Sequence, residues 1–224
     1  MQGMTQGMSV PIGELFARAP LYAILDTSIR PELSPATILE PLLRAGVKVI
    51  QYRHKEPFRK AHWEQCAALA RWVHAFGGEF IVNDRADVAK LCDAAGVHLG
   101  QDDLPPDKAR LFLGEDSVVG FSTHNLEQAR EAVSLPIDYI AIGPIFPTAS
   151  KKAPDPVVGL EMIARVRALT AMPLVAIGGI TLENAPAVVQ AGANAVAVIG
   201  DLLQVGDIED RARQFLAALK PCRS

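Results

Sequence analysis

The feature that most constrains this chain is a regular alternation of short aliphatic runs with helix-forming segments. Eight such runs occur, from residues 21–25 near the start to 195–199 near the end, and a helical pattern follows each. Strands that alternate with helices pair in parallel, because each helix returns the chain to the same end of the sheet. Eight such units predict an α/β fold of the (β/α)8 TIM barrel type.

No linker or shift in composition marks a second domain, so we expect one barrel domain over residues 12–224. Residues 1–11 are rich in Gly and Met and are predicted to form a flexible N-terminal extension. An open, doubly wound sheet is the alternative, but the GxGxxG turn expected after its first strand is absent. The predicted strands are 21–25, 47–52, a segment around Phe80, a segment around Val97, 117–121, 138–142, 173–177 and 195–199.

Composition excludes several classes of partner. Half of the residues are apolar and few are aromatic, which is typical of the aliphatic cores around parallel sheets. The formal net charge of −3 predicts neither a nucleic acid nor an anionic membrane surface as partner. Cys66, Cys92 and Cys222 are widely spaced and form no CxxC pair, so we expect reduced thiols and a cytoplasmic protein. The oligomeric state stays open, a homo-oligomer included.

Two neighbouring strands are each predicted to end on a carboxylate, Asp84 after the third and Asp103 after the fourth. In TIM barrels the loops after the strands bear the chemistry, and consecutive strand ends lie side by side. Two adjacent carboxylates repel one another unless a cation neutralises them. We therefore expect a divalent cation, Mg²⁺, at Asp84 and Asp103. The alternative is that both residues cap the helices that follow.

Cationic side chains are predicted on the same rim. Gln51, Arg53 and Lys55 alternate at the end of the second strand and so point to one side of an extended chain. Lys151 lies in the long loop that follows the sixth strand. A diphosphate that bridges Mg²⁺ to Arg and Lys would satisfy both sets of charges. Simple pairing of the opposite charges is the alternative.

The last two strands end in glycines that suit a second phosphate site. Gly178 and Gly179 precede one helix and Gly200 precedes another helical segment, where backbone N–H groups bind phosphate. The alternative for the paired glycines is a tight turn alone. The loop at 143–156 contains Thr148, Ser150 and Lys151, as expected of a lid that closes over anions.

Other chemistries are less well supported. Ser122 and His124 are two residues apart and lack the nucleophile elbow of a hydrolase. His98 lies within the fourth strand and is predicted to be a hydrogen-bonded core histidine. Lys48, in the second strand, stays open as a Schiff-base lysine.

Seven segments in order give the chain a family resemblance. They are QYRHK at 51–55, VNDR at 82–85, GVHLGQDD at 96–103, GFSTH at 120–124, GPIFPTASKK at 143–152, AIGGI at 176–180 and AGANAVAVIG at 191–200. The ordered set resembles the thiamine phosphate synthase family of (β/α)8 enzymes. The resemblance implies that a hydroxymethylpyrimidine diphosphate is joined to a hydroxyethylthiazole phosphate, with dissociative loss of diphosphate.

The resemblance also implies a role for each matching residue. Asp84 and Asp103 would bind Mg²⁺, while Arg53, Ser122 and Lys151 would be catalytic through their contacts with the departing diphosphate. The pyrimidine diphosphate would be held by Gln51, Arg53, Lys55, Asn83, Ser122 and Lys151. The thiazole phosphate would be held by Thr148, Ala149, Ser150, Gly179, Ile199 and Gly200.

Two departures from the family pattern fall on the thiazole side. Ser150 stands where threonine is usual and keeps the hydroxyl, whereas Gly200 stands where serine is common and loses a side-chain contact. A thiazole tautomerase of the same superfamily, which uses a histidine near His124, would need no diphosphate site. A non-catalytic phosphate-binding barrel would need no carboxylate pair. Which form of the thiazole phosphate is used stays open.

Overall fold

Eight parallel strands close into a barrel in sequence order, β1 pairing with β2 and so on until β8 pairs with β1. This is seen in a computed structural model that describes residues 11–148 and 155–220. The strands are β1 Leu21–Asp26, β2 Val49–Arg53, β3 Glu79–Asn83, β4 Gly96–Leu99, β5 Val118–Thr123, β6 Tyr139–Ile142, β7 Leu174–Ile177 and β8 Ala195–Val198. The predicted TIM barrel is confirmed.

Of the helices in the described part of the chain, one precedes the first strand, and the others follow strands and cover the outside of the barrel. The helices are α1 Ile12–Arg18, α2 Pro35–Ala45, α3 Lys60–Ala75, α4 Ala86–Leu91, α5 Pro106–Leu113, α6 Leu126–Ala132, α7 Gly159–Arg167, α8 Ala185–Gln190, α9 Gly200–Leu203 and α10 Ile208–Ala218. None of the described helices is long and apolar enough to cross a membrane.

Local sequence signals explain where α2 begins and ends. The Ser34 hydroxyl accepts a hydrogen bond from the Thr37 amide, and Pro35 occupies the first turn, where its missing N–H is not needed. Gly46 ends the helix in the left-handed conformation, with φ of +97°. These residues therefore account for both ends of α2.

The strands separate two apolar layers. In β1, Leu21, Ala23 and Leu25 pack outward against the helices, whereas Tyr22 and Ile24 point into the barrel. Successive strand residues point to opposite faces, so both layers are built from the same strands. Burial on both faces accounts for the continuous apolar runs in the sequence.

The helix α1 was not predicted and lies at the N-terminal end of the strands. Its residue Phe16 is fully buried, and the Phe16 ring lies 5.9 Å from that of Tyr22 and 5.6 Å from that of Tyr139. These contacts close the bottom of the barrel interior. Residues 1–10 of the predicted N-terminal extension lie outside the described part of the chain.

The two described cysteines, Cys66 and Cys92, are buried free thiols, as the sequence predicts, while Cys222 lies outside the described residues. Burial raises the pKa of the Cys66 thiol. Lys48 precedes β2, and its ammonium group donates to the carbonyl of Phe76 at 2.6 Å. Lys48 is therefore not a strand residue, and its contact at the N-terminal end of the barrel gives no support to a Schiff-base role.

Candidate active site

A cavity of about 800 Å³ opens at the C-terminal ends of the strands. Every predicted site residue that the structure describes contributes to its wall. These residues are Gln51, Arg53, Lys55, Asn83, Asp84, Asp103, Ser122, Thr148, Gly179, Ile199 and Gly200. Ala149, Ser150 and Lys151 lie outside the described residues, so their placement and the predicted lid are not tested.

Asp84 holds an unusual backbone conformation directly after β3. Its φ is +63°, in the left-handed region that non-glycine residues rarely occupy, and its N–H donates to the carbonyl of His98 at 2.8 Å. The Lys55 ammonium group donates to the Asp84 carboxylate at 2.5 Å. Such strain is found at functional sites, where the surroundings hold the side chain in place.

Asp103 faces the same part of the cavity as Asp84. Its carboxylate accepts a hydrogen bond of 2.7 Å from the amide of Gly100. Burial, and after it the nearby Asp84 carboxylate, raise the pKa of the Asp103 carboxyl, whereas the Gly100 amide lowers it. The Asp84 carboxylate is therefore close enough to that of Asp103 to oppose its ionisation.

This donor set fits a magnesium ion. Mg²⁺ takes one or two carboxylates from a protein and completes its shell with water and substrate phosphate oxygens. Within residues 11–148 and 155–220, no group of three or more His, Cys, Asp or Glu side chains forms a metal site. Asp84 and Asp103 thus offer an incomplete shell, which is the kind that a bound diphosphate can complete.

Asn83, the last residue of β3, presents an unsatisfied donor. Its side-chain nitrogen is buried and has no hydrogen-bond partner among the residues that the structure describes. Buried polar atoms are nearly always hydrogen-bonded, so an orphaned donor in a cavity wall points to an acceptor on a ligand.

Arg53 is paired with a carboxylate that sequence reasoning left without a role. Asp26 lies opposite Arg53 in the β1–β2 register, and its buried carboxylate accepts from the guanidinium. The Ser28 amide and hydroxyl also donate to Asp26, at 2.9 Å and 2.6 Å. The signal that could have identified Asp26 was its position at the end of β1, next to the strand that ends at Arg53.

Simple pairing of opposite charges, the alternative to a bound diphosphate, is seen for both cations at the end of the second strand. Arg53 pairs with Asp26, and Lys55 pairs with Asp84. The pairing alternative thus accounts for both cations in the structure. Asp84 has a second carboxylate beside it, so a metal ion can take the place of Lys55 in that pair. Arg53 remains in the cavity wall, so an anion can still bind to its guanidinium.

His98 is a hydrogen-bonded core histidine, as predicted, and it also contacts a predicted site residue. Its Nδ1 lies 2.9 Å from the hydroxyl of Tyr139, and its Nε2 lies 2.8 Å from the hydroxyl of Ser122. Burial lowers the pKa of His98 to about 4, so the ring is neutral at pH 7. The hydroxyls of Tyr22 and Tyr139 lie 3.0 Å apart, and the Gln51 amide donates to Tyr22 at 2.8 Å.

Neither of these tyrosines was recognised from sequence as part of the site. Tyr22 and Tyr139 lie in continuous apolar runs that give no sign of which residues point into the barrel. Burial raises the pKa of both tyrosine hydroxyls, so both are protonated at neutral pH.

The glycines after β7 fit closely beneath the β6–α7 loop. Gly178 and Gly179 have φ of +97° and +63°. A Cβ on Gly178 would lie 2.5 Å from the Cβ of Pro144, and one on Gly179 would lie 2.4 Å from the carbonyl oxygen of Pro147. The tight-turn explanation therefore holds, and the same turn brings backbone groups to the cavity wall beside Gly200, the first residue of α9.

Ser122 and His124 do not form a catalytic pair. His124 Nδ1 lies 2.7 Å from the carbonyl oxygen of Gly143 and 3.6 Å from the carboxylate of Asp155, whereas Ser122 contacts His98. The expectation that these residues are not a hydrolase triad agrees with this geometry.

A TIM barrel with paired carboxylates, cations and a glycine turn around one cavity defines a class, the barrel enzymes that act on phosphate esters. Within this class the sequence is specific. A family model described as thiamine monophosphate synthase matches residues 21–202, and the chain belongs to that family.

Relatives agree with this assignment over nearly their whole length. The thiamine-phosphate synthase of Koribacter versatilis (strain Ellin345) is 48% identical over 205 residues, which cover 89% of this chain and 95% of the relative. That of Shouchella clausii (strain KSM-K16) is 41% identical over 200 residues, covering 89% and 96%. The solved structure of thiamine phosphate pyrophosphorylase from Pyrococcus furiosus superposes with a TM-score of 0.82 at 31% identity, covering 91% of this chain and 96% of that one.

Proposed function

We propose that this enzyme is a thiamine phosphate synthase. It would condense 4-amino-2-methyl-5-(diphosphooxymethyl)pyrimidine with hydroxyethylthiazole phosphate to give thiamine phosphate and diphosphate. The observation that best supports this is the carboxylate pair, Asp84 and Asp103, beside the unsatisfied amide of Asn83 in one cavity. A barrel that only binds phosphate, or a thiazole tautomerase, has no need of this arrangement.

The diphosphate end of the substrate would lie between β2 and β5. Arg53 would donate to its oxygens while Asp26 holds the guanidinium, and Lys55 would turn from Asp84 toward the phosphates. Asn83 and Ser122 would donate hydrogen bonds, and Lys151 would approach from the long loop after β6. Gln51 would contact the pyrimidine.

Asp84 and Asp103 would hold Mg²⁺, which supplies positive charge to the departing phosphate oxygens when bound. The bond between the pyrimidinylmethyl carbon and the diphosphate oxygen breaks, and both electrons leave with the oxygen. The lone pair of the thiazole nitrogen then forms the new C–N bond to the resulting cation. No protein nucleophile is required, so the catalytic groups Arg53, Ser122 and Lys151 act by stabilising charge on the leaving group.

The thiazole phosphate would bind at the other side of the cavity. The Gly179 turn and the backbone amides of the first turn of α9, which begins at Gly200 after Ile199, are suited to a phosphomonoester. Thr148, Ala149 and Ser150 would add contacts from the long loop. Because Gly200 lacks a side chain, the backbone must supply what a serine hydroxyl would otherwise add. We further propose a cytoplasmic location, with small molecules rather than nucleic acid as partners.

The test is incubation with both substrates and Mg²⁺, with diphosphate release and thiamine phosphate measured together. We expect Asp84→Ala and Lys151→Ala to abolish condensation while circular dichroism shows an intact fold. Lys108→Ala, which removes an exposed lysine paired with its neighbour Asp107, is the matched control and should stay within about twofold of the parent. Full activity in either active-site variant, or equal product in excess chelator, would refute the mechanism.

A further inference from the structure

A chain of hydrogen bonds crosses the interior of the barrel below the cavity. It runs from Gln51 on β2 through Tyr22 on β1 and Tyr139 on β6 to His98 on β4, and it ends at Ser122 on β5. All four contacts are between 2.8 Å and 3.0 Å long. The chain thus joins two residues of the proposed substrate site, Gln51 and Ser122, through groups that do not themselves have to touch substrate.

The chemistry of its members gives this chain a direction. The Gln51 side-chain nitrogen can only donate, so the Tyr22 oxygen accepts from it. The two heavy-atom contacts allow either order of donation. Only the order from Tyr22 to Tyr139 to His98 Nδ1 gives the buried Tyr22 proton an acceptor within this chain of groups. A neutral histidine that accepts at Nδ1 is protonated at Nε2, and this N–H then donates to the Ser122 hydroxyl oxygen.

The consequence falls on the last hydroxyl of the chain. Because Ser122 accepts from His98, its own proton is not used by the network and can be donated to an acceptor in the cavity, whose wall includes Ser122. In the opposite histidine tautomer, Nε2 would accept the Ser122 proton and turn it away from the cavity.

We propose that Tyr139 is a positioning residue that holds His98 in the Nε2–H tautomer and so directs the Ser122 proton to the leaving diphosphate. The role in catalysis rests on the proposed function, whereas the tautomer of His98 in the free protein does not. Tyr139 suits this task because its ring is held by the Phe16 ring at 90° and by the Tyr22 ring at 77°. Its hydroxyl therefore has a defined position in the barrel interior.

The tautomer can be measured directly by nitrogen-15 NMR of the histidine rings. In the parent protein we expect a protonated Nε2 and an unprotonated Nδ1 for His98, with the signals assigned by their loss in His98→Gln. A protonated Nδ1 in the parent would overturn the proposal whatever the variants do. This measurement needs no substrate, so it stands even where condensation is not observed.

The variant Tyr139→Phe keeps the ring and removes the donor to Nδ1. A neutral hydrogen bond of ordinary strength changes an equilibrium by roughly tenfold, so we expect the Nδ1–H form of His98 to appear. We expect kcat for condensation to fall roughly tenfold, while the KM for the thiazole phosphate is unchanged. Tyr52→Phe is the control, because the buried Tyr52 also loses a hydroxyl, one that donates to Gln65 at 3.0 Å on the outer side of the sheet.

A double-mutant cycle separates positioning from a general structural effect. If Tyr139 acts through the Ser122 proton, Tyr139→Phe should lower kcat in the parent and have no further effect in Ser122→Ala. Additive losses in the cycle, or an unchanged tautomer in Tyr139→Phe, would overturn the proposal. Absence of condensation by the parent would instead contradict the proposed function and leave the NMR result as the test of the histidine tautomer.

Discussion

The pair formed by Asp26 and Arg53 yields the sharpest stability prediction. The Asp26 side chain is 2% exposed and that of Arg53 is 18% exposed, and Ser28 donates twice to the same carboxylate. The variant Asp26→Asn keeps the size of the side chain and removes its charge. The guanidinium of Arg53 then remains largely buried without a counter-charge.

The expected loss follows from this burial. Breaking a fully buried ion pair by removing one partner costs about 3–5 kcal/mol, because the remaining charge is left uncompensated. Water reaches part of Arg53, so we expect about 2–3 kcal/mol of the free energy of unfolding to be lost. For a chain of this size, such a loss lowers the Tm by about 5–10 °C.

Urea denaturation followed by circular dichroism measures this change. The control is Glu40→Gln, which breaks an exposed ion pair with Arg44 on α2 and should cost less than about 0.5 kcal/mol. Because Asp26 also fixes Arg53 at the cavity wall, the KM for the pyrimidine diphosphate should rise about tenfold. Equal stabilities of Asp26→Asn and Glu40→Gln would refute the conclusion that the buried pair holds Arg53.

Three further changes probe the cavity. Asp84→Asn should raise the Mg²⁺ concentration for half-maximal activity about tenfold or more, because it removes one of two anionic ligands. Asp102→Asn should not raise it, and an equal metal dependence of the two variants would contradict the assignment. Asn83→Leu should stabilise the free protein by about 1 kcal/mol, because it removes a buried donor that has no hydrogen-bond partner among the described residues. The same variant should bind substrate more weakly in calorimetry, and a lower stability of the free protein would oppose this account. Gly179→Ala should destabilise more than Gly159→Ala in urea denaturation. Both glycines have positive φ, but among the described residues only Gly179 has neighbours where a Cβ would lie, so equal losses would argue against the close packing.

The barrel could be predicted because its periodic signals are local. Each strand is a short aliphatic run, and helix exits such as Gly46 are set by backbone conformations that few residues adopt. The sequence does not predict α1 and α9 as separate helices, because seven and four residues are too few to establish a helical period. Neither helix has a side-chain cap at its start. Tertiary packing, such as the burial of Phe16, stabilises α1 instead.

The residues that form the site could be predicted, but the ion pairs between them could not. Parallel topology alone requires that Asp84 and Asp103 end neighbouring strands at one rim. Which cation meets which carboxylate depends on strand register, and this brought Asp26 to Arg53 and Lys55 to Asp84. The positions of charged residues in the sequence do not reveal the register between neighbouring strands.

The sequence by itself determined the eight βα units, and with them the end of the barrel at which the polar residues gather. The tertiary structure decided which strand residues face inward, because strands that are buried on both faces show no alternation of apolar and polar residues. Tyr22, His98 and Tyr139 therefore looked like ordinary core positions. Only barrel closure brought them within hydrogen-bond distance of one another and linked Gln51 to Ser122.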